Sequence, residues 1–446
     1  MSAAGDYNYF SMTKTSTAAA GQVARAQHLV FEVSGAHQNI LTSDLENFCI
    51  SLIRTRLPLH TCPAIVQPSD ASVNRWRIGF SLSASDDQLV DPPAPDAASP
   101  RLFMADVPFI SSFGPDGGSD IGAVPRAYYS LATLIGAINR ALAAAWTAAT
   151  ANADFVTNTF LDVYGAGAGQ RVLNNPPFLR LVEGSSSLSL LIPRYDLANT
   201  NPPPANPEVT LAWYSISPSG AQLDAIGAAW GIAPERRRHN INIVFSESLA
   251  NTVFAQFAFQ RFQQAYVRSP AANPAGAPLC RLAANMNEDS IVLLSDIVSA
   301  TGNQIAYYNV VSDSPNLQNI SSLVKIYLTI TGLSVVNDSV ADVSQDTRAV
   351  GGVPVLTDIA VALDPQIGRS AVYLSPAAQV RQINIRDGVR NLRDIRIAAY
   401  YQIFTPDSGI VSYPLLLPAN QFAEIRLAFT RKFSKDFLQY DESPIA

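Results

Sequence analysis

Near its C-terminus the chain reads Ala423-Glu424-Ile425-Arg426-Leu427-Ala428-Phe429-Thr430, an alternation of apolar and polar side chains. A period of two indicates a β-strand with one buried and one exposed face. Four longer segments share the alternation, at residues 76–82, 241–245, 324–331 and 395–401. Shorter candidate strands are residues 29–33, 178–182, 188–192, 209–214 and 413–417. Such strands are typical of an antiparallel β-sandwich, so the predicted fold class is mainly β.

Helical periodicity occurs in a few places between the predicted strands. From Pro125 to Thr150, apolar residues recur at spacings of three and four, and Pro125 is placed to open the helix. A weaker helix is predicted from a capping Ser248 to Phe257, and a short one from Ala221 to Trp230. Three proline-rich stretches are predicted to be surface loops, at residues 91–100, 199–207 and 269–278.

The pattern divides the chain into three parts. Residues 1–27 are small and polar without a period, and we expect an N-terminal arm that a neighbouring subunit holds in place. Residues 28–320 contain strands, the inserted helices and the proline-rich loops, with room for a second β domain. Residues 321–446 have the densest strand signals and are predicted to form a C-terminal β unit.

Charged residues make up only 15% of the 446 residues, where about 25% is typical. A surface this poor in charge indicates extensive burial against other molecules. Lipid is not expected to be among them, because Asn139 and Arg140 interrupt the longest apolar stretch well short of the roughly 18 residues of a membrane span. The N-terminus also lacks the basic start and apolar core of a signal peptide.

The balance of charge also bears on nucleic acid. The net charge is −6, and Lys14 and Arg25 are the only cations in the first 27 residues. Proteins that condense a genome neutralise its phosphates with Lys and Arg, commonly on a basic arm. We therefore predict no direct nucleic-acid binding.

No catalytic, cofactor-binding or metal-binding residue is predicted. His28, His37, His60 and His239 show no metal-ligand spacing with one another or with cysteines and carboxylates. Cys49, Cys62 and Cys280 share no Cys-x-x-Cys spacing, and we interpret them as reduced packing residues. The glycines at 165, 167 and 169 lack the strand, helix or Gly-Lys-Ser of a phosphate loop. The carboxylates that could form acid pairs are interpreted as surface groups: Asp86, Asp87, Asp364 and Asp394.

Two arginine-rich segments stand out. Arg236 to Arg238 form one compact basic cluster, for which a solvated turn is favoured over a nucleic-acid patch or a salt-bridge site between subunits. Arginines also recur from Arg381 to Arg396, partly balanced by Asp387 and Asp394. That pattern favours polar faces and charged contacts between subunits.

The order and spacing of several segments resemble the penton-type minor capsid proteins of small eukaryotic double-stranded DNA viruses, namely polinton-like viruses, adintoviruses and virophage relatives. The resemblance is best over about the last 130 residues. The segments are 320–335, Tyr373-Leu374-Ser375-Pro376-Ala377, 392–397, Thr405-Pro406-Asp407-Ser408-Gly409, 413–418 and 423–432, with 134–142 and 241–257 upstream.

The resemblance implies an antiparallel jelly-roll β-sandwich with long loops and a few inserted helices. It further implies a non-enzymatic virion protein that forms homopentamers at the fivefold vertices of an icosahedral shell. The implied partners are the major capsid protein and other minor capsid proteins, and no cofactor is implied.

Other classes of protein remain open from the sequence. A double jelly-roll major capsid protein would need two similar strand sets in series, and no internal repeat is found. A β-sandwich hydrolase or carbohydrate-binding protein would concentrate acidic and aromatic residues, whereas Trp76, Trp146, Trp213 and Trp230 are spread along the chain. A capsid of a small RNA or single-stranded DNA virus would be expected to carry the missing basic arm.

Overall fold

A computed structural model of the chain describes twenty-three stretches of it. They are residues 7–16, 27–32, 48–59, 62–69, 74–84, 102–109, 126–153, 155, 175–182, 187–193, 239–255, 257, 259–261, 279–282, 291–298, 304–311, 322–332, 335–336, 355–359, 370–374, 383–385, 395–417 and 421–431, with 155 and 257 as single residues.

The described elements are twenty-four strands and two helices of more than one turn. The strands are β1 (Tyr7–Thr15), β2 (Gln27–His28), β3 (Val30–Glu32), β4 (Phe48–Pro58), β5 (Ile65–Val66), β6 (Arg77–Ala84), β7 (Leu102–Asp106), β8 (Ala127–Tyr128), β9 (Phe178–Leu181), β10 (Leu188–Pro193), β11 (His239–Ser246), β12 (Phe259–Arg261), β13 (Leu279–Leu282), β14 (Ile291–Val298), β15 (Gln304–Val311), β16 (Leu323–Thr331), β17 (Val335–Val336), β18 (Val355–Ile359), β19 (Ser370–Leu374), β20 (Ile383–Ile385), β21 (Arg396–Thr405), β22 (Gly409–Pro414), β23 (Leu416–Leu417) and β24 (Phe422–Arg431). The helices are α1 (Leu131–Thr150) and α2 (Glu247–Thr252).

Some sequence predictions concern residues outside the described ones. These are the strand at 209–214, the helix at 221–230, the three proline-rich stretches, the glycines at 165–169, the cluster Arg236 to Arg238, the carboxylates Asp86, Asp87, Asp364 and Asp394, and the histidines His37 and His60.

The chain forms two compact units, which alternate along the sequence. Unit 1 comprises residues 1–66, 110–130 and 321–446, and unit 2 comprises residues 67–109 and 131–320. This differs from the linear division expected from the sequence, because residues 28–66 belong with the C-terminal segment rather than with residues 67–320. The cause is long-range pairing: β4 lies beside β24, and β3 lies beside β21.

Unit 1 has the strand order of a jelly roll. Sheet one runs β1-β24-β4-β20-β17, with β19 also on β4, and sheet two runs β18-β16-β21-β22, with β3 also on β21. The pairing is nested: β1 pairs with β24, β3 with β21, β4 with β19 and β20, and β16 with β18, and every pair is antiparallel. Strands nested in this way over two sheets define the double Greek key of a jelly roll. The predicted fold class is thereby confirmed.

The two sheets of unit 1 share one core. Alternate side chains of β24, such as Ile425 and Leu427, are buried together with Ile397 and Tyr401 of β21. The predicted alternation is therefore what joins the sheets, since each strand directs every second side chain inward. In β16 the outward-facing Tyr327 is buried as well, so its alternation is less strict than predicted.

Residues 7–15, predicted to belong to an arm, form the edge strand β1. It pairs with β24 along its whole length, from Tyr7 opposite Thr430 to Thr15 opposite Phe422. Phe10 and Met12 point into the core. The chain itself thus supplies the partner that the sequence analysis expected from a neighbouring subunit.

Unit 2 contains two further antiparallel sheets and both helices. Sheet three runs β14-β15-β10-β9, and sheet four runs β12-β13-β11-β6-β7. Strands β6 and β7 approach closely at Gly79, where an added Cβ would lie 1.9 Å from the carbonyl oxygen of Phe103. The described strands of unit 2 do not repeat the nested order of unit 1, which weighs against a double jelly roll.

Helix α1 is a core helix of unit 2, and it begins later than predicted. Residues 127–128 pair with β5 instead of continuing the helix toward Pro125. By length and composition α1 could cross a membrane, but eight of its side chains are buried, and it packs against β6, β7 and β9. Its Asn139 amide donates to the carbonyl oxygen of Leu179 at 2.9 Å and accepts from the Leu179 N–H at 2.7 Å. Trp146 lies edge-to-face against Phe80, with the ring centroids 5.0 Å apart.

The second predicted helix is only six residues long, and its predicted cap is wrong. The position before α2 is Ser246, whose side chain makes no capping hydrogen bond and instead accepts from the Arg77 N–H at 3.0 Å. Ser248 lies inside the helix and donates to the carbonyl oxygen of Asn74. The chain turns away after Thr252, and Phe254 packs on Phe245 with 4.5 Å between the ring centroids.

Candidate functional site

The described residues that the sequence analysis considered for chemistry occupy structural positions. Cys49, Cys62 and Cys280 are buried and form no disulfide bond, and burial raises the pKa of the Cys62 thiol. Trp76 and Trp146 are buried, as predicted for core residues. Among the described residues, no group of three or more His, Cys, Asp and Glu side chains could hold a metal ion.

Exposed apolar side chains concentrate at one end of sheet two. Phe404 of β21 lies opposite Ile410 of β22, and these side chains are 52% and 61% exposed. Val324 is 43% exposed and lies at a bulge where β16 passes Ile403 and Gln402 of β21. We call Val324, Phe404 and Ile410 the apolar row. Clustered exposed apolar side chains mark contact sites more often than isolated ones do.

The β21–β22 hairpin, which carries Phe404 and Ile410 of the apolar row, is held at its tip by hydrogen bonds and an ion pair. Thr405 Oγ1 donates to the Gly409 carbonyl oxygen at 3.0 Å and accepts from the Ser408 N–H at 3.2 Å. The backbone dihedral φ of Gly409 is +72°, a conformation that glycine adopts without strain. Asp407 forms an ion pair with Arg126, with 3.0 Å between Oδ2 and Nη2. A site that is already ordered loses little conformational entropy on binding.

The middle of the same outer face is covered by stacked rings. Tyr327 and Tyr400 stack with 5.5 Å between centroids, and His28 lies edge-on to Tyr400 at 5.0 Å. His28 Nε2 is 3.2 Å from the Ala399 carbonyl oxygen. Burial raises the pKa of Tyr327 to about 12 and lowers the pKa of His28, which the nearby Arg396 lowers further.

Arg396 is the described member of the arginine-rich segment 381–396. Its guanidinium lies 2.7 Å from the carboxylate of Glu32 on β3, within the same chain. Lys325 and Asp358 form a similar pair across β16 and β18 at 3.8 Å. These exposed pairs balance the charge of the outer face of sheet two and add little stability.

The outer face of sheet one has a different character. Arg54 of β4 lies opposite Arg426 of β24, and Arg56 lies opposite Glu424. The guanidinium carbon of Arg56 is 4.4 Å from the ring centroid of Phe422, a cation–π contact. We call the surface of Arg54, Arg56 and Arg426 the arginine face. The sequence alone does not reveal this face, because the three arginines meet only through the pairing of β4 with β24.

The nested strands of unit 1 define a jelly-roll protein, a class that includes viral capsid domains, lectins and cupins. Within that class, the chain is similar to a chain of the Sputnik virophage, from a 3.5 Å cryo-EM structure, with a TM-score of 0.55 and 14% identity. That match covers 96% of this chain and 98% of the virophage chain. The mavirus penton protein matches with a TM-score of 0.50 and 12% identity over 95% of this chain and 99% of its own.

No protein-family model and no curated protein sequence matches the chain. The likeness to these two structures is a likeness of fold, and it extends over both units. It confirms, at the level of the fold, the resemblance to penton-type capsid proteins that was predicted from the sequence.

Proposed function

We propose that the chain is a structural subunit of an icosahedral virus capsid, and that five copies form a penton at each fivefold vertex. The observation that carries the proposal is the shared fold over nearly the whole chain with a virophage protein and with a penton protein. Because both units are included, the likeness is not that of a jelly roll alone.

The apolar row supports an assembly role for unit 1. Burying an exposed Phe, Ile or Val side chain contributes about 1.5–3 kcal/mol when it is complete, and about half of that for a half-exposed one. Such residues on an ordered hairpin favour a contact with another protein. Permanent interfaces bury about 2,000 Å² or more, so the row would be the centre of a larger contact.

A ring of five identical chains needs two different contact surfaces on each chain, because its contacts are head-to-tail. The low charged fraction of 15% suits a chain with extensive contacts. The expected neighbours are copies of the chain, the major capsid protein and other minor capsid proteins, and the expected location is the virion.

Native mass spectrometry of the purified full-length chain tests this proposal. We expect a species with the mass of five chains, present alone or after addition of the major capsid protein from the same genome. A chain that stays monomeric at every concentration and binds no other virion protein would contradict the proposal. A stable dimer or trimer would contradict the fivefold arrangement while leaving the capsid role in place.

A further inference from the structure

Strand β22 presents backbone hydrogen-bonding groups along the side that faces away from β21. The N–H of Phe404 donates to the Ser322 carbonyl oxygen at 2.7 Å, on the side of β21 that faces β16. In an antiparallel pair, opposed residues alternate between those that hydrogen-bond to each other and those that both point away. Ile410 lies opposite Phe404, so its N–H and C=O point away from β21, as do those of Ser412 two residues further on.

These outward groups are available for pairing. Among the described strands, β21 is the one that pairs with β22. The described part of the chain places no other backbone group in hydrogen-bond contact with Ile410 or Ser412. An edge strand with unpaired N–H and C=O groups is a template to which another strand can be added. We call this side of β22, from Ile410 to Ser412, the β22 edge.

The β22 edge differs in charge from the other edge strands of sheets one and two. Where the side chains of such strands are described, β1 carries Lys14, β3 carries Glu32 and β18 carries Asp358. Charged side chains protect an edge strand against pairing with another strand. β22 has no charged residue, and its proline, which lacks an N–H, is its last residue. This edge is therefore left without charged protection.

The side chains beside the β22 edge define what could bind there. Ile410 is 61% exposed and lies opposite Phe404, which is 52% exposed on the same outer face. A strand added to β22 would direct every second side chain to that face, and one of them would lie directly beside Ile410. The expected ligand is therefore an extended segment with an apolar side chain at that position.

We propose that the β22 edge accepts a strand from a second copy of the chain, so that sheet two continues from one subunit into the next. The edge and the apolar row share Ile410, so one neighbour covers both, and to that extent the inference rests on the proposed function. Contacts in a ring are head-to-tail, so β22 pairs with a different segment of the neighbour rather than with its β22. Main-chain pairing adds affinity to the contact, while the apolar side chains supply the specificity.

An extended segment of a different virion protein is the competing ligand, since main-chain hydrogen bonds form with a strand of any sequence. A second copy is favoured because a ring brings one next to every chain, whatever else the shell contains. The two ligands are separated by whether the edge becomes covered when the chain assembles alone.

The first test is hydrogen–deuterium exchange of the full-length chain, resolved to single amides, in its multimeric and its monomeric state. The amides of Ile410 and Ser412 should exchange quickly in the monomer, because they face water. In the multimer they should exchange at least about tenfold more slowly, because exchange then requires the added strand to open. Val411 is the internal reference, since it forms a hydrogen-bonded pair with Ile403 and should be protected in both states.

The second test removes one outward N–H from the edge. Ser412→Pro should weaken self-association at least about tenfold relative to Ser412→Ala, as measured by sedimentation. Both variants lose the side-chain hydrogen bond with Gln402, and the alanine variant keeps the N–H. The control is Thr13→Pro on β1. Ser16 donates its N–H to β24, so Thr13 directs its own N–H away from β24, and its replacement should leave self-association unchanged.

Three outcomes would overturn the proposal. They are a multimer in which the amides of Ile410 and Ser412 exchange as quickly as in the monomer, an equal effect of Thr13→Pro, and protection that appears only when a different virion protein is added. Each of these leaves the capsid role in place, whereas a chain that stays monomeric with every virion protein contradicts both proposals. If Ser412→Pro melts lower than Ser412→Ala, the exchange of the wild-type amides alone decides.

Discussion

Sheet one and sheet two contribute their inner faces to the same core, whereas their outer faces have almost nothing in common. Ile425 of sheet one and Ile397 of sheet two play the same part, since each is a buried aliphatic side chain on a central strand. Outside, sheet one carries Arg54 and Arg426, while sheet two carries ion pairs, stacked rings and the apolar row. The inner faces therefore specify the jelly roll, and the outer faces are free to specify different contacts.

The largest expected effect comes from a charge on either inner face. Ile425→Asp in sheet one and Ile395→Asp, directly before β21 of sheet two, should each lower the free energy of unfolding by several kcal/mol, about 3–5, because each buries an unpaired carboxylate in the shared core. Both side chains are almost completely buried. Urea unfolding measures the effect, with Thr15→Asp on the exposed side of β1 as the control, expected within about 0.5 kcal/mol of wild type. Equal stability of the variants and the control would refute the shared core.

A smaller effect is expected on the outer face of sheet two. Phe404→Ser with Ile410→Ser should weaken assembly about tenfold or more, which corresponds to about 1.4 kcal/mol, while leaving the stability of the monomer nearly unchanged. The matched control is Val311→Ser, which removes an exposed apolar side chain from unit 2. Sedimentation over a range of concentrations measures both. An assembly constant that responds no more to the row than to the control would remove the apolar row from the interface.

The smallest effect is a pH dependence that comes from His28, whose ring lies against Tyr400 of sheet two. The folded chain lowers the pKa of His28, so the unfolded chain takes up a proton first as the pH falls through about 6.5. Stability should then be full above that pH and decrease below it. When the pH is lowered from about 7.5 to about 5.5, the free energy of unfolding should fall less in His28→Gln than in the wild type. Identical losses in the two chains would show that His28 does not contribute.

Strands could be predicted from the sequence where apolar and polar residues alternate within one segment. Ala423 to Phe429 and Ile395 to Tyr401 alternate strictly. The first segment lies in β24 and the second, apart from Ile395 directly before it, lies in β21, with the predicted side chains buried. β1 was not predicted, because its only strongly apolar inward residues are Phe10 and Met12, and its stability comes from β24 at the other end of the chain. The start of α1 was missed for the same reason, since Ala127 and Tyr128 pair with β5.

The candidate sites were less predictable than the fold. Phe404 and Ile410 could be identified as neighbours once a hairpin over Thr405 to Gly409 is assumed, but their exposure depends on which face of the strand is outward. The arginine face depends on the register of β24 against β4, and a shift of one residue would move Arg426 to the inner face. Pairing between strands this distant in sequence is not encoded in either segment alone.

A cryo-EM reconstruction of particles that contain this chain tests the central claim most directly. We expect five jelly-roll subunits around each fivefold axis, with Phe404 and Ile410 covered by a neighbouring protein. Density for the chain away from the fivefold axes, or an apolar row that faces solvent in the assembled shell, would contradict it.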